Sequence, residues 1–127
     1  MSLVINASPH SVTATLDRVA AALQRRDVAV FARIDHGGGA RAAGLELADE
    51  ELLIFGDPRV GTLLMQSDRS IGYELPLRVL AWDDAGTTRV AYKPPHELSS
   101  SYALADREEV LARMDQLLDA IIAESTV

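Results

Sequence analysis

Apolar positions recur along this chain with two periods, and the points where one period gives way to the other mark its elements. Residues 3–6 are short, apolar and β-branched, which suits an opening strand. Ser8 or Ser11 then offers a side-chain oxygen to cap a helix, with Pro9 tolerated in its first turn. Val12, Leu16, Val19 and Leu23 follow at spacings of four, three and four, one stripe of a helix that reaches about residue 26. Asp17, Arg18, Arg25 and Asp27 lie off the stripe, so this helix is amphipathic and packs on a sheet.

Residues 28–35 switch to a period of two, with Val28, Val30, Ala32 and Ile34 on one face and Ala29, Phe31, Arg33 and Asp35 on the other. Gly37, Gly38 and Gly39 stop that strand; residues 40–44 leave room for a helical turn or two, with Gly44 as a left-handed terminator. A second core strand at 51–55 ends at Gly56-Asp57-Pro58. There Asp57 caps a helix, Pro58 opens it, and Val60, Leu63 and Leu64 form its inner face. Residues 75–82 read as a strand containing Pro76, which cannot donate to a sheet ladder and marks an edge, a bulge or the strand's start. Residues 83–86 turn the chain, and 87–93 return antiparallel until Pro94-Pro95. Ser99, Ser100 and Ser101 fall in a polar loop anchored by Tyr102. From Asp106 a last helix carries Val110, Leu111, Met114, Leu117, Leu118, Ile121 and Ile122 on one broad face, with Asp106 and Glu109 as an acidic capping box.

The order is strand, helix, strand, short helix, strand, helix, hairpin, helix. Consecutive antiparallel strands with helices collected on one side make a two-layer α+β domain, a mainly antiparallel sheet of about five strands with short inserted helices. Residues 1–127 have the length of one domain, and 48% hydrophobic content supports a full core. The absence of cysteine excludes a disulfide scaffold, thiolate catalysis and cysteine-ligated metal. It is compatible with a cytoplasmic location. No apolar window approaches the length of a membrane span and no leader pattern opens the chain, so a soluble protein is expected. A net charge of −7 with scattered basic residues argues against nucleic acid and against an anionic membrane surface as partners.

Several linked segments carry a family likeness: Phe31-Ala-Arg-Ile-Asp-His36, residues 40–45, Leu53-Ile-Phe-Gly-Asp-Pro58, Gly61-Thr-Leu-Leu-Met65, Leu75-Pro-Leu-Arg-Val79, and Tyr92 with Pro95. Together they resemble the domain-of-unknown-function 302 family over nearly the whole chain. The resemblance implies a curved antiparallel sheet with helices on one face, similar to the TATA-binding-protein-like arrangement, and a homodimer. It implies a fold rather than a reaction. The chain departs from the family pattern at Asp57, where asparagine is common, and at Gly37-Gly38-Gly39, where alanines are common.

Candidate chemistry sits at two strand ends. Asp35-His36 pairs a carboxylate with an imidazole that titrates near neutrality, suited to proton transfer or metal binding. The structural alternative is that Asp35 caps the short helix and His36 fills the rim. Gly37, Gly39 and Ala42 match a bare G-x-G-x-x-A spacing, but the helix that follows is too short for a dinucleotide site. A looser anion-binding turn would use Arg33 or Arg41 as counter-charge. Gly56 and Asp57 reach the same pocket as His36 if the two strand ends are neighbours. Leu63, Leu64, Met65, Tyr73 and Trp82 are candidates to line an apolar pocket between sheet and helix, or simply core. His10 and His96 show no ligand spacing, so neither metal nor cofactor is expected.

These observations favour a homodimeric, non-catalytic module that binds a small ligand, with Arg33, Asp35, His36, Gly56 and Asp57 as candidate ligand-binding residues. The alternative is an enzyme using Asp35, His36 and Asp57 in acid–base chemistry. A purely structural or protein-partner role is the third reading. For the dimer, the Pro76 hairpin offers an edge and the last helix a wide apolar face. All of it assumes that the two strand-end corners meet.

Overall fold

The computed structural model describes residues 3–127. Five strands and four α-helices follow in the order β1 (Val4–Ser8), α1 (Val12–Gln24), β2 (Ala29–Asp35), α2 (His36–Ala42), β3 (Glu50–Gly56), α3 (Pro58–Ser67), β4 (Leu77–Asp84), β5 (Thr87–Tyr92) and α4 (Glu108–Ser125). Short 3-10 helices occupy Arg69–Tyr73, Pro95–Ser100 and Ala105–Arg107. All strand pairs are antiparallel, in the spatial order β1-β5-β4-β3-β2. The α+β class and the five-stranded antiparallel sheet are those expected from the order of elements.

Both long helices pack on one face of that sheet. Leu16, Val19 and Leu23 of α1 and Leu118, Ile121 and Ile122 of α4 meet Leu53, Phe55, Val79 and Val90 in the main core. A second cluster, with Leu64, Ile71, Leu98, Leu104, Leu111 and Met114, lies where α3 and the 3-10 segments meet the N-terminal half of α4. Each large side chain buried this way contributes about 1.5–3 kcal/mol before entropy is subtracted. The broad apolar face of α4 is therefore consumed within the chain, which removes it as a surface for dimerisation.

Local signals set several boundaries as read. Ser11 caps α1 by accepting the Ala14 N–H at 3.1 Å. Asp57 caps α3, with Pro58 at its start. Ala85 and Gly86, both with positive φ, make the tight β4–β5 turn. That backbone favours the right-handed strand twist of a two-residue hairpin.

Five expectations fail, each for a physical reason. Gly37, Gly38 and Gly39 do not form a loop; they lie inside α2. A Cβ at Gly37 would press within 3.2 Å of the Ala48 carbonyl and the Glu50 nitrogen, so the missing side chain lets α2 dock on the start of β3. The alternation of β2 breaks at a bulge: Val30 pairs with Phe55 and Ala32 with Ile54, placing Val30 and Ala32 on opposite faces around Phe31. Pro76 precedes β4, and β4 is the middle strand, so the Pro76 hairpin offers no edge; β1 and β2 are the edges. Helix α4 starts at Glu108 without a side-chain cap, because Asp106 instead accepts the Ser67 hydroxyl at 2.8 Å. The serine-rich stretch after Pro95 is 3-10 helix through Ser100, with the Ser99 and Ser100 hydroxyls donating to backbone carbonyls three residues back.

Candidate functional site

Strand β3 runs out of the core through Phe55 and ends at Gly56, where the chain must leave the sheet. Asp57 sets the departure. Its Oδ1 accepts the Arg59 N–H at 3.0 Å, and both its oxygens accept from the Arg59 guanidinium, at 3.0 and 2.9 Å. Those side-chain bonds, helped by the backbone one, hold the Asp57 carboxyl below its usual range. Helix α3 therefore starts at this point, and the chain returns through Arg69–Tyr73 and Leu75-Pro76 to begin β4.

Between α3, that return and α4 lies a cavity of about 370 Å³. Phe31, Phe55, Met65, Leu75, Met114 and Leu117 supply much of its apolar wall. Glycines keep it open: a Cβ at Gly56 would sit 3.5 Å from both the Phe31 ring and Pro76, and one at Gly61 3.5 Å from Leu75. Asp57, Thr62 and Arg113 are the lining residues with polar side chains. An apolar concavity with a few polar groups at its mouth has the character of a small-molecule site, and its size falls in the usual range.

The other corner is elsewhere. In the β2–β3 register Ala29 lies opposite Gly56 and Asp35 opposite Glu51. At about 3.3 Å per residue the two corners stand on the order of 17 Å apart, at opposite ends of the strand pair. Asp35 caps α2, its Oδ1 accepting the Gly38 N–H at 2.8 Å, and His36 is exposed at the first position of that helix. The expected convergence of Asp35, His36 and Asp57 does not occur, because antiparallel pairing sends two consecutive strand ends in opposite directions.

Arg33 is spent on structure. It donates to Glu51 at 2.9 Å, to Asp17 at 2.6 Å and to the Thr13 carbonyl at 2.9 Å. Burial works against its charge, yet the bonds to Asp17 and Glu51 outweigh this and raise its pKa. Glu51, buried on the core face, also accepts the Thr13 hydroxyl at 2.5 Å, so this network clasps α1 to the sheet. Arg41 reaches the Leu47 carbonyl and Asp49 rather than an anion-binding turn. Of the residues proposed for an apolar pocket, Met65 lines the cavity, Leu64 is core, Tyr73 is 87% exposed, and Trp82 lies on the sheet face away from the helices. Arg113, Met114 and Leu75 went unanticipated as site residues. The adjacency of Arg113 to the apolar stripe of α4 was the available signal. Among the described residues no group of three or more His, Asp or Glu comes together as a metal centre.

Comparison with known proteins matches the family model described as "Domain of unknown function DUF302" to residues 4–121. The chain belongs to this family. A crystal structure of an uncharacterized conserved DUF302 protein from Bacillus stearothermophilus superposes with a TM-score of 0.84, at 17% identity and covering 98% of each chain, which establishes a shared fold. Among curated proteins, the chain is 45% identical over 109 residues to "Fluoride-specific ion channel FluC 1" of Brucella suis, covering 85% of this chain and 43% of that protein. A protein of the same name from Brucella abortus matches at 45% with 40% of its length covered. The DUF302 chain thus spans less than half the length of these relatives. No helix of the described residues is long and apolar enough to cross a membrane.

Proposed function

We propose that this DUF302 domain is a homodimeric, non-catalytic module that binds a small apolar ligand between α3 and α4. The observation that carries the reading is the 370 Å³ cavity whose one carboxylate, Asp57, is already engaged by Arg59. A general acid or base needs a free titrating group beside the reacting atom. Asp57 caps α3 and is held ionised by Arg59, and His36 stands at the far end of the sheet, so the geometry speaks against the enzyme reading. Thermal-shift screening against apolar metabolites tests the proposal: stabilisation that Gly61→Leu abolishes is the expected result. A library that moves neither protein counts against it.

The dimer half of the reading rests on the face of the sheet that the helices leave open. Ile34, Leu52, Leu80 and Ile5 form an apolar row across the strands, with already buried Ala91 between the last two. Ile54 and Trp82 lie beside the row, and Glu50, Arg78 and Arg89 share the same face. Strands near 4.8 Å apart and about 20 Å long give a footprint on the order of 500 Å², below the roughly 800 Å² per partner of a standard interface and in the range of weaker, reversible ones. A second copy is self-complementary here: a two-fold axis along β4 sets Leu80 against Leu80 and Glu50 against Arg89. Light scattering is expected to give a dimer for the native chain and a 13.7 kDa species for Leu80→Asp. Dilution should red-shift the emission of Trp82, the chain's sole tryptophan.

The Brucella relatives support a modular role. A stretch 45% identical to this one accompanies further chain in proteins named as fluoride-specific ion channels. A ligand-binding unit attached to such proteins would act as an accessory to them rather than as the pore.

A further inference from the structure

We propose that the cavity takes a monocarboxylate with a flexible apolar body of about a dozen heavy atoms, its carboxylate held by Arg113. This rests on the cavity being a ligand site and adds the chemistry of the ligand.

Size sets the first limit. At roughly 30 Å³ for a water-sized group, 370 Å³ holds about a dozen heavy atoms. The walls set the second. Met65 and Met114 face this space, and unbranched thioethers adapt to a flexible chain better than a rigid wall does.

The mouth decides the charge. Asp57 is spent on Arg59, so a cationic ligand would have to displace an existing ion pair. The start of α3 is equally committed: Arg59 N–H goes to the Asp57 side chain, and the Val60 and Gly61 N–H groups to the Asp57 carbonyl, each at 2.9 Å. Asp57 and Arg59 neutralise each other. Arg113 remains. It is exposed, lines the cavity beside buried Met114, and among the described residues has no ion-pair partner, not even Glu109 one turn earlier on α4. Every other arginine except Arg69 donates at least one hydrogen bond. A guanidinium with free N–H groups at an apolar rim matches a carboxylate in planar, two-point fashion. A neutral ligand would leave it unused.

Isothermal titration calorimetry of the full chain with decanoate, decanol and decyltrimethylammonium provides the test. Decanoate is expected to bind at least about tenfold more tightly than either other probe, the scale of one charge-assisted hydrogen bond. Arg113→Gln should bring decanoate down to the affinity that the native protein shows for decanol, while Arg113→Lys retains part of the preference. Gly61→Leu should abolish binding of all three. Equal affinity for decanoate and decanol in the native protein, or a preference that survives Arg113→Gln, overturns the assignment of Arg113 while the cavity stands. Decanoate binding that survives Gly61→Leu places the ligand elsewhere and overturns it as well. No binding by any ten-carbon probe overturns both this proposal and the ligand-binding reading beneath it.

Discussion

The two ends of the β2–β3 pair are written in the same local grammar and come out differently. At one, strand β2 ends in Asp35, whose carboxylate caps α2; at the other, β3 ends in Gly56-Asp57, whose carboxylate caps α3. Each aspartate satisfies a backbone N–H of the helix it starts, at 2.8 and 3.0 Å. The difference lies in what covers them. Helix α2 is a short glycine-containing turn with an exposed rim. Helix α3 is roofed by α4 and walled by the Leu75–Leu77 return, so the same strand–cap–helix device encloses a cavity. Capping chemistry is local, whereas enclosure depends on elements far off in sequence.

The largest effect should come from the wall shared by cavity and core. Phe55 is fully buried, and Phe55→Ala is expected to lower stability by about 3–5 kcal/mol, measured by denaturant unfolding. A loss below about 1 kcal/mol would mean that the α3 end is no better packed than the α2 end. Glu51→Ala comes next, at about 2–4 kcal/mol, since it strips the buried partner from Arg33 and Thr13. Glu51→Gln should recover part of that loss by keeping the hydrogen bond to Thr13.

Losing either cap should lower the melting temperature by a few degrees, and Asp57→Ala more than Asp35→Ala, because α3 carries cavity wall and α2 does not. Equal shifts would erase the contrast between the two ends. Acid should also act through the α3 side. The Lys93 ammonium, with Tyr102 adding a hydrogen bond, holds Glu74 below its ordinary 4.5 despite desolvation. Arg59 likewise holds Asp57 below its ordinary 3.8. With native pKa values below the unfolded ones, the unfolded chain binds more protons, so stability rises with pH through this region. That contribution is complete above the ordinary values and fades as pH falls through the lowered ones. Glu74→Gln should flatten the acid limb of a stability-against-pH curve. The smallest effect is reserved for His36→Ala, within about 0.5 kcal/mol and without influence on ligand binding. Any loss of binding in that variant would show that the two corners communicate after all.

Much of the frame was legible because it is written locally. The stripe of Val12, Leu16, Val19 and Leu23 became the buried side of α1, and Gly56-Asp57-Pro58 became strand end, cap and helix start, as residue chemistry requires. The misreadings occurred where a distant partner outbid a local preference. Three glycines look like a loop until α2 is seen resting on the backbone of Ala48 and Glu50. Asp106 looks like a cap until Ser67, thirty-nine residues away, takes its carboxylate. Pro76 leaves an edge, a bulge or a strand start open. It proves to be the start, just outside a β4 that pairs with β3 from Leu77 and with β5 from Leu80, and only the idea of a free hairpin edge fails.

By itself, then, the order of apolar periods and turn residues determined an α+β chain with antiparallel strands and two long amphipathic helices. Periodicity and capping act over a few residues, and a sequence displays them directly. Only the tertiary structure decided that the His36 corner and the Asp57 corner part company, that β4 lies at the centre, and that Arg113 looks onto an apolar space. Strand direction and register are settled by burial summed over the whole sheet, a quantity that no single segment contains.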